Sequence, residues 1–149
     1  MSKIILLDSI RSMQNVGAIF RNADGAGFEK VILTGYCPYP PRSDISKTAL
    51  GAQTWIDWEY FYDPVTIIKN LKEEGYKIYS VELDEKSIDY RELFKENKEK
   101  VCLIMGNEIS GVSKKLLDLS DKIVIIPMRG KKESLNVSVA AGIVMYSIN

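Results

Sequence analysis

Residues 122–138 read KIVIIPMRGKKESLNVS, the most informative part of the sequence for the fold. Its apolar part is typical of a buried strand, and a proline interrupts such a run, so we predict a strand over Lys122–Met128. A charged, glycine-bearing loop follows over Arg129–Glu133, and hydroxyl and amide side chains then begin a helix. Ser134 is either the N-cap of that helix or part of a ligand site, because unpaired backbone N–H groups at a helix start bind polar ligands.

The helix that follows, through Val139–Met145, carries no charged residue on any face. A helix that is apolar all round is buried on all sides. In a chain this short, we expect one face to pack against the chain's own sheet and another face to pack against a second copy of the chain.

The composition is that of one ordinary globular domain, which we expect to span residues 1–149. Hydrophobic residues make up 46% of the chain, and no apolar run approaches the roughly 20 residues of a membrane span. The N-terminus shows no signal-peptide pattern. Cys37 and Cys102 lie far apart and have no CxxC partner, so the sequence predicts a reduced, cytoplasmic protein without a membrane.

The chain contains no histidine, which excludes Ser-His-Asp and Cys-His catalysis and any histidine-bound zinc; we expect no metal. The formal net charge is zero and the pI is about 6.3, which argues against binding to nucleic acid by bulk charge alone. A local basic patch stays open.

Strand-like runs alternate with helical patterns throughout the chain. The predicted strands are Lys3–Asp8, Lys30–Thr34, Ile56–Phe61, Tyr76–Leu83, Val101–Met105 and Lys122–Met128. The predicted helices are Val16–Ala26, a short one within Lys47–Gln53, Pro64–Glu74, Tyr90–Glu96, Lys114–Leu119 and the C-terminal helix. Several strands are apolar on both faces, so the pattern predicts an α/β domain with a parallel sheet covered by helices on both faces.

Three loops carry polar residues at the expected carboxyl ends of strands, where ligands bind in such folds. In the segment 15–23, Asn15 is either a helix cap, which is the simpler interpretation, or part of a ligand site. The segment 105–111 is not a phosphate-binding P-loop, because Val112 and Ser113 stand in place of the required Lys-Ser/Thr pair. It is either an ordinary turn or a ligand loop. Basic and aromatic loop residues also favour a surface for unpaired bases without establishing one: Arg11, Arg21, Tyr36, Tyr39, Arg42 and Lys47.

Taken in order, the three segments resemble the motifs of the SpoU/TrmH-type RNA 2′-O-ribose methyltransferases of the SPOUT superfamily. The first motif, N-x-G-x-x-x-R-x-A, matches Asn15, Gly17, Arg21 and Ala23. The second, G-N-E-x-x-G, matches Gly106, Asn107, Glu108 and Gly111. The third, I-P-M followed by S-L-N-V-S-x-A, matches Ile126, Pro127, Met128, Ser134, Leu135, Asn136, Val137, Ser138 and Ala140.

The resemblance implies a SPOUT fold, whose C-terminal part forms a deep trefoil knot, and a homodimer formed through the knot region and the C-terminal helix. It implies S-adenosylmethionine as cofactor and a structured RNA as substrate, tRNA being favoured over rRNA. The implied cofactor-binding residues are Val81, Glu82, Leu83, Gly106, Asn107, Ile126, Met128, Ser134 and Leu135.

In the reaction that the resemblance implies, a ribose 2′-hydroxyl attacks the sulfonium methyl group and loses its proton. The family assigns activation of the hydroxyl to the arginine that is Arg21 here. Arginine is a poor base at neutral pH, so electrostatic stabilisation by Arg21 stays open beside proton removal. The other implied catalytic and positioning residues are Asn15, Glu108, Ser134 and Asn136, some of them supplied by the partner subunit.

Two other classes of protein remain as alternatives at this point. One is a SPOUT-fold RNA-binding protein without catalysis, and the other is a doubly wound nucleotide-binding protein unrelated to methylation.

Overall fold

A computed structural model describes residues 1–96 and 99–148. Its strands form one parallel sheet in the order β3-β2-β1-β6-β4-β7-β5. The strands are β1 (Ser2–Asp8), β2 (Lys30–Thr34), β3 (Asp57–Phe61), β4 (Lys77–Val81), β5 (Ile88–Asp89), β6 (Lys100–Met105) and β7 (Lys122–Ile125). The α/β class and the parallel sheet are confirmed.

The helices lie on both faces of this sheet, as the sequence predicts. They are α1 (Met13–Ala26), α2 (Ser43–Ala49), α3 (Pro64–Glu73), α4 (Lys114–Leu119) and α5 (Val137–Ser147), with 3-10 helices at Ala52–Thr54 and Tyr90–Lys95. Helices α1, α2 and α5 share one apolar core with one face of the sheet, and α3 and α4 share a second core with the other face. Among the described residues, no helix has both the length and the apolar character that a membrane crossing needs.

The central strands are fully buried because both faces are covered. Residues Ile5, Leu6 and Leu7 of β1 have no exposed surface, and Val101 to Ile104 of β6 are equally buried. Alternating side chains of one strand therefore contribute to different cores: Ile5 packs with α1 and α5, whereas Leu6 packs with α3 and α4.

Two boundaries within residues 122–138 differ from the prediction. Strand β7 ends at Ile125, because Pro127 has no backbone N–H to donate to a neighbouring strand. Helix α5 begins after Asn136, whose Oδ1 accepts the backbone N–H groups of Ser138 and Val139 at 2.9 and 3.4 Å. The prediction of Ser134 as the N-cap is therefore wrong.

Other differences are local. Helix α1 begins before Val16, at Met13, and its N-cap is Ser12, not Asn15. Helix α2 also begins earlier than predicted, at Ser43. Strand β5 was not predicted, because two residues are too few to show a hydrophobic period.

Candidate functional site

A cleft opens at the carboxyl ends of β6, β4 and β7, which are neighbours in the sheet. Parallel strands leave the loops that follow them at one edge, which is where ligands of such folds bind. The cleft is lined by Val81, Glu82, Leu83, Met105, Gly106, Asn107, Glu108, Ile109, Ser110, Gly111, Ile125, Ile126, Glu133, Ser134, Leu135, Val137 and Ala140.

The loop after β6 is a tight turn that only glycine allows at two positions. Backbone hydrogen bonds join Asn107 and Gly111 in both directions, at 3.1 and 2.9 Å. A Cβ atom on Gly106 would lie 2.3 Å from the backbone carbon of Gly111. Gly111 has a φ of 71°, in the left-handed region. The turn is therefore fixed by its own backbone.

Glu82 directly follows β4 and stabilises this turn by hydrogen bonding. Its Oε2 accepts the backbone N–H of Val112 at 2.9 Å, and its Oε1 accepts the backbone N–H of Leu83 at 2.9 Å. A Cβ atom on Gly111 would lie 1.9 Å from the same Oε2. The second glycine of the motif thus makes room for the carboxylate as well as for the turn.

Glu108 points out of the turn and holds the start of α1. Its carboxylate accepts the backbone N–H groups of Arg11 at 3.0 Å and Ser12 at 2.9 Å, and the Asn15 side-chain amide at 3.1 Å. Partial burial raises the pKa of Glu108, but these hydrogen bonds outweigh it and lower the pKa below its ordinary value. The residue is therefore a carboxylate at neutral pH.

Asn15 links Glu108 of the second motif to Asn136 of the third motif by hydrogen bonds. Its Oδ1 accepts the Asn136 side-chain amide at 3.2 Å, and Asn136 caps α5. Two helical turns further along the same face of α1, the Asn22 amide donates to the carbonyl of Ser138 at 2.8 Å. Polar contacts thus tie Glu108, Asn15 and Asn136, one residue from each motif, into one network beside the cleft.

The structure brings most of the predicted site residues together. Those lining the cleft are Val81, Glu82, Leu83, Gly106, Asn107, Glu108, Ile126, Ser134 and Leu135. Asn15 and Asn136 lie beside it, and Met128 is not among the lining residues. Arg21 does not line it either: this side chain is exposed on α1 and makes no hydrogen bond or ion pair with the described part of the chain.

Glu133 is the notable lining residue that sequence reasoning missed. It is an exposed residue that stands in the charged loop before Ser134 and has the appearance of a solvated side chain in the sequence. Its position next to the third motif was the only available signal.

The cleft has an acidic character. Its described lining includes three carboxylates, Glu82, Glu108 and Glu133, and no lysine or arginine. The remaining lining is largely aliphatic, together with backbone groups of the turn. Such a cleft attracts a cationic ligand and repels phosphate. Within residues 1–96 and 99–148, no group of three or more His, Cys, Asp or Glu side chains is placed to hold a metal ion.

Comparison with known families decides the identity of the domain. The family model described as "SpoU rRNA Methylase family" matches residues 2–146, nearly the whole chain. The chain belongs to the SpoU rRNA methylase family. The resemblance predicted from the three motifs is confirmed.

Two curated relatives of this chain illustrate the range of similar proteins. The tRNA (guanosine(18)-2′-O)-methyltransferase of Aquifex aeolicus is 32% identical over 144 residues, which cover 96% of this chain and 66% of the relative. The 23S rRNA (guanosine(2553)-2′-O)-methyltransferase of Bacillus subtilis is 32% identical over 152 residues, 98% of this chain and 57% of the relative. The chain spans about three fifths of the length of these proteins.

Solved structures of SpoU-type proteins share the fold over 99% of this chain. The A. aeolicus TrmH/SpoU tRNA modifying enzyme superimposes with a TM-score of 0.87 at 29% identity, over 73% of its own chain. The AdoMet-bound rRNA methyltransferase from Sinorhizobium meliloti superimposes with a TM-score of 0.90 at 28% identity, over 55% of its own chain.

Proposed function

We propose that this chain is an S-adenosylmethionine-dependent methyltransferase that modifies a ribose 2′-hydroxyl of a structured RNA, with tRNA favoured over rRNA. One observation carries the proposal: Glu108, Asn15 and Asn136 join the three motif segments by hydrogen bonds beside the cleft. The relatives that cover nearly all of the chain, named as tRNA and rRNA 2′-O-methyltransferases, support it.

The cleft fits the proposed cofactor by its chemistry. Aliphatic side chains such as Leu83, Ile126 and Leu135 suit an adenine ring, and backbone groups of the turn after β6 suit its polar edge. The three carboxylates suit a ligand that carries positive charge. When bound, S-adenosylmethionine supplies a methyl group on a positively charged sulfonium. The same acidic lining opposes a phosphate-bearing nucleotide, which weighs against the alternative of a doubly wound nucleotide-binding protein.

The polar network has a positioning role in this proposal. Glu108 and Asn15 fix the start of α1 relative to the turn, and Asn136 fixes the start of α5 against α1. Ser134 lies in the cleft wall, where its backbone would contact the cofactor. The network therefore holds the walls of the cleft at a fixed separation before any ligand binds.

Arg21 stabilises or deprotonates the attacking hydroxyl in the proposal, and it requires a second copy of the chain to do so. Its side chain is exposed and does not line the cleft of its own chain. Helix α5 also leaves Val139 and Tyr146 50% and 57% exposed, although it bears no charge. We propose that two copies pair through α5 and the neighbouring loop 126–136, so that each cleft meets an Arg21.

Two finer features complete the proposal. The connection from β7 through 126–136 to α5 is proposed to form the trefoil knot of the SPOUT fold, as the superposition on SpoU-type structures supports. The cytoplasm is the proposed compartment, since Cys37 and Cys102 are buried thiols outside any disulfide.

The decisive experiment is methyl transfer from labelled cofactor to undermodified tRNA and rRNA, followed by mapping of the modified ribose. Arg21→Ala is expected to abolish transfer while cofactor binding, measured by calorimetry, is largely kept. Arg91→Ala is the control: it removes an exposed arginine after β5 that pairs with Asp89, and it should leave transfer unchanged. Equal loss of transfer and cofactor binding in Arg21→Ala would contradict the assigned role, and RNA binding without transfer by the wild-type chain would favour the non-catalytic alternative.

Subunit complementation tests whether two copies build one site. Arg21→Ala and the cleft-blocking variant Leu135→Arg should each be inactive. In a one-to-one mixture about half of the dimers are mixed, and each holds one intact site, so about a quarter of wild-type activity should return. No recovery after verified subunit exchange would place Arg21 and the cleft in the same chain.

A further inference from the structure

An exposed aromatic surface continues the sheet edge beyond the cleft. We call it the aromatic edge and define it as Arg11, Tyr36, Tyr39 and Tyr62. Tyr36 is 66% exposed, Tyr62 is 69% exposed and Tyr39 is 41% exposed. These residues follow β1, β2 and β3, whose carboxyl ends lie at the same edge as the cleft. Large exposed rings gathered on one edge indicate a binding surface.

Contacts at the aromatic edge fix the Tyr36 ring and the backbone of Tyr62. The Arg11 guanidinium carbon lies 5.7 Å from the centre of the Tyr36 ring, and the Tyr36 backbone N–H donates to Ser9 Oγ at 3.2 Å. The Gly35 backbone N–H donates to the carbonyl of Tyr62 at 3.1 Å, which places Tyr62 next to Tyr36.

Tyr39 is anchored as well. Its ring centre lies 4.6 Å from that of Tyr60, whose hydroxyl donates to the carbonyl of Gly35 at 2.5 Å. The Tyr36 and Tyr39 rings are therefore held before a ligand binds, which lowers the cost of ordering these side chains.

The aromatic edge is continuous with the cleft through Arg11. The backbone N–H of Arg11 donates to Glu108 in the cleft wall, while its side chain lies over Tyr36. In the sheet, β2 lies two strands from β6 and β3 lies three strands from it. At the usual spacing between strands, the loops that carry Tyr36 and Tyr62 therefore start about 10 and about 14 Å from the turn after β6. A nucleic-acid strand with one sugar at the cleft would carry its neighbouring bases to this distance.

Two guanidinium groups at the edge, those of Arg11 and Arg42, are exposed and available to a polyanion. The Arg42 side chain is exposed, and its guanidinium makes no hydrogen bond or ion pair with the described residues. The nearby acidic groups are engaged locally: Asp8 accepts the Thr34 hydroxyl, and Asp44 pairs with Lys47. Asp63 likewise accepts the backbone N–H of Val65, with which it caps α3.

We propose that unpaired bases next to the target nucleotide stack on Tyr36 and Tyr62, with Arg11 and Arg42 facing the backbone. This inference rests on the proposed function in that the cleft takes a nucleotide of RNA. It assigns the chain a preference for a target in a single-stranded loop, because bases paired in a duplex present no free face to an aromatic ring.

The test measures binding of labelled single-stranded oligouridylate and oligoadenylate, and of a duplex RNA of equal length. Tyr36→Ala combined with Tyr62→Ala should weaken single-strand binding roughly 25-fold or more, since loss of one stacking ring costs roughly 5- to 100-fold and two rings are removed. Tyr36→Phe combined with Tyr62→Phe keeps the rings and should bind like wild type. Phe94→Ala is the matched control. It removes an exposed aromatic residue after β5, the outermost strand on the side of the sheet away from β2 and β3, and should leave RNA binding unchanged.

The outcomes separate this inference from the proposed function. A raised KM for RNA with unchanged cofactor affinity in the double alanine variant supports the aromatic edge. Full methyl transfer with unchanged RNA affinity in that variant overturns the edge and leaves the proposed function standing. A third outcome combines two results: the wild-type chain transfers no methyl group, and the double alanine variant loses single-strand binding. This outcome supports the aromatic edge and contradicts the proposed function. Equal weakening of duplex and single-strand binding overturns stacking as the mode of binding.

Discussion

Replacing Glu108 with glutamine tests the network that joins the three motifs. The carboxylate accepts three hydrogen bonds, from Arg11 at 3.0 Å, Ser12 at 2.9 Å and Asn15 at 3.1 Å. Glutamine keeps one acceptor oxygen and turns an NH₂ group toward the remaining donors. At least one donor at the start of α1 then loses its partner. A hydrogen bond to a charged group contributes roughly 1.5–3 kcal/mol.

Because Glu108 is exposed, water replaces part of the lost interaction, and we expect a loss of about 1 kcal/mol in the free energy of unfolding. For a chain of this size that is a fall of roughly 2–4 °C in Tm. Glu133→Gln is the matched control: Glu133 is exposed in the same cleft and makes no hydrogen bond with the described residues. It should change Tm by much less.

The assay is urea denaturation of Glu108→Gln, Glu133→Gln and wild type, together with methyl transfer to RNA. We expect transfer to fall in Glu108→Gln by more than cofactor affinity, because the start of α1 moves while most of the cleft lining stays. Identical stability of the two glutamine variants would show that Glu108 does not hold the start of α1.

The pH dependence supplies an independent check of the same interaction. The pKa of Glu108 is lowered in the folded chain, so its charge contributes stability above the ordinary value of 4.5, and this contribution is lost as the pH falls through the folded pKa. The difference in stability between wild type and Glu108→Gln should be constant above about pH 5.5 and shrink below the ordinary value.

Three further predictions follow from local packing. Gly111→Ala should weaken cofactor binding and lower Tm, because its φ is 71° and its Cβ would lie 1.9 Å from Glu82 Oε2, whereas Gly130→Ala, with nothing within 4 Å, should leave both unchanged. Gly17→Ala should cost roughly 1–3 kcal/mol in chemical denaturation, since its Cβ would lie 2.1 and 2.2 Å from atoms of α2; a neutral result would show that α2 can shift freely. Cys37 should react with iodoacetamide at pH 8 only at the rate of unfolding, because burial raises the pKa of its thiol to about 12; fast labelling of the native chain would contradict this.

The sequence was sufficient for the central strands β1 and β6 because these strands are apolar on both faces. Leu6 and Leu7 point to opposite cores, and such a run has few interpretations other than a buried parallel strand. The predicted bounds of Lys30–Thr34 and Lys114–Leu119 agree with those observed. Boundaries failed where capping decides them: Ser12 and Asn136 compete with neighbouring polar residues that have similar capping preferences.

Only part of the site could be predicted, because the prediction relied on motifs and not on hydrophobic pattern. Gly106, Glu108 and Asn136 stand out by motif, and the structure places them at one sheet edge. Glu133 carried no motif, so local sequence could not assign it to the cleft. In the proposed dimer the surroundings of Arg21 depend on how the second copy packs, and the pattern along one chain does not contain that arrangement.

The acidic lining of the cleft has a consequence for how an RNA would approach. Phosphate groups within about 8 Å of Glu82, Glu108 and Glu133 are repelled at physiological salt. The strand would have to present a sugar to the cleft opening while its phosphates remain outside, toward Arg11 and Arg42. Repulsion at the centre and attraction at the rim would then orient the polymer without reading its sequence, and raising the salt concentration would blur that orientation as well as weaken the complex.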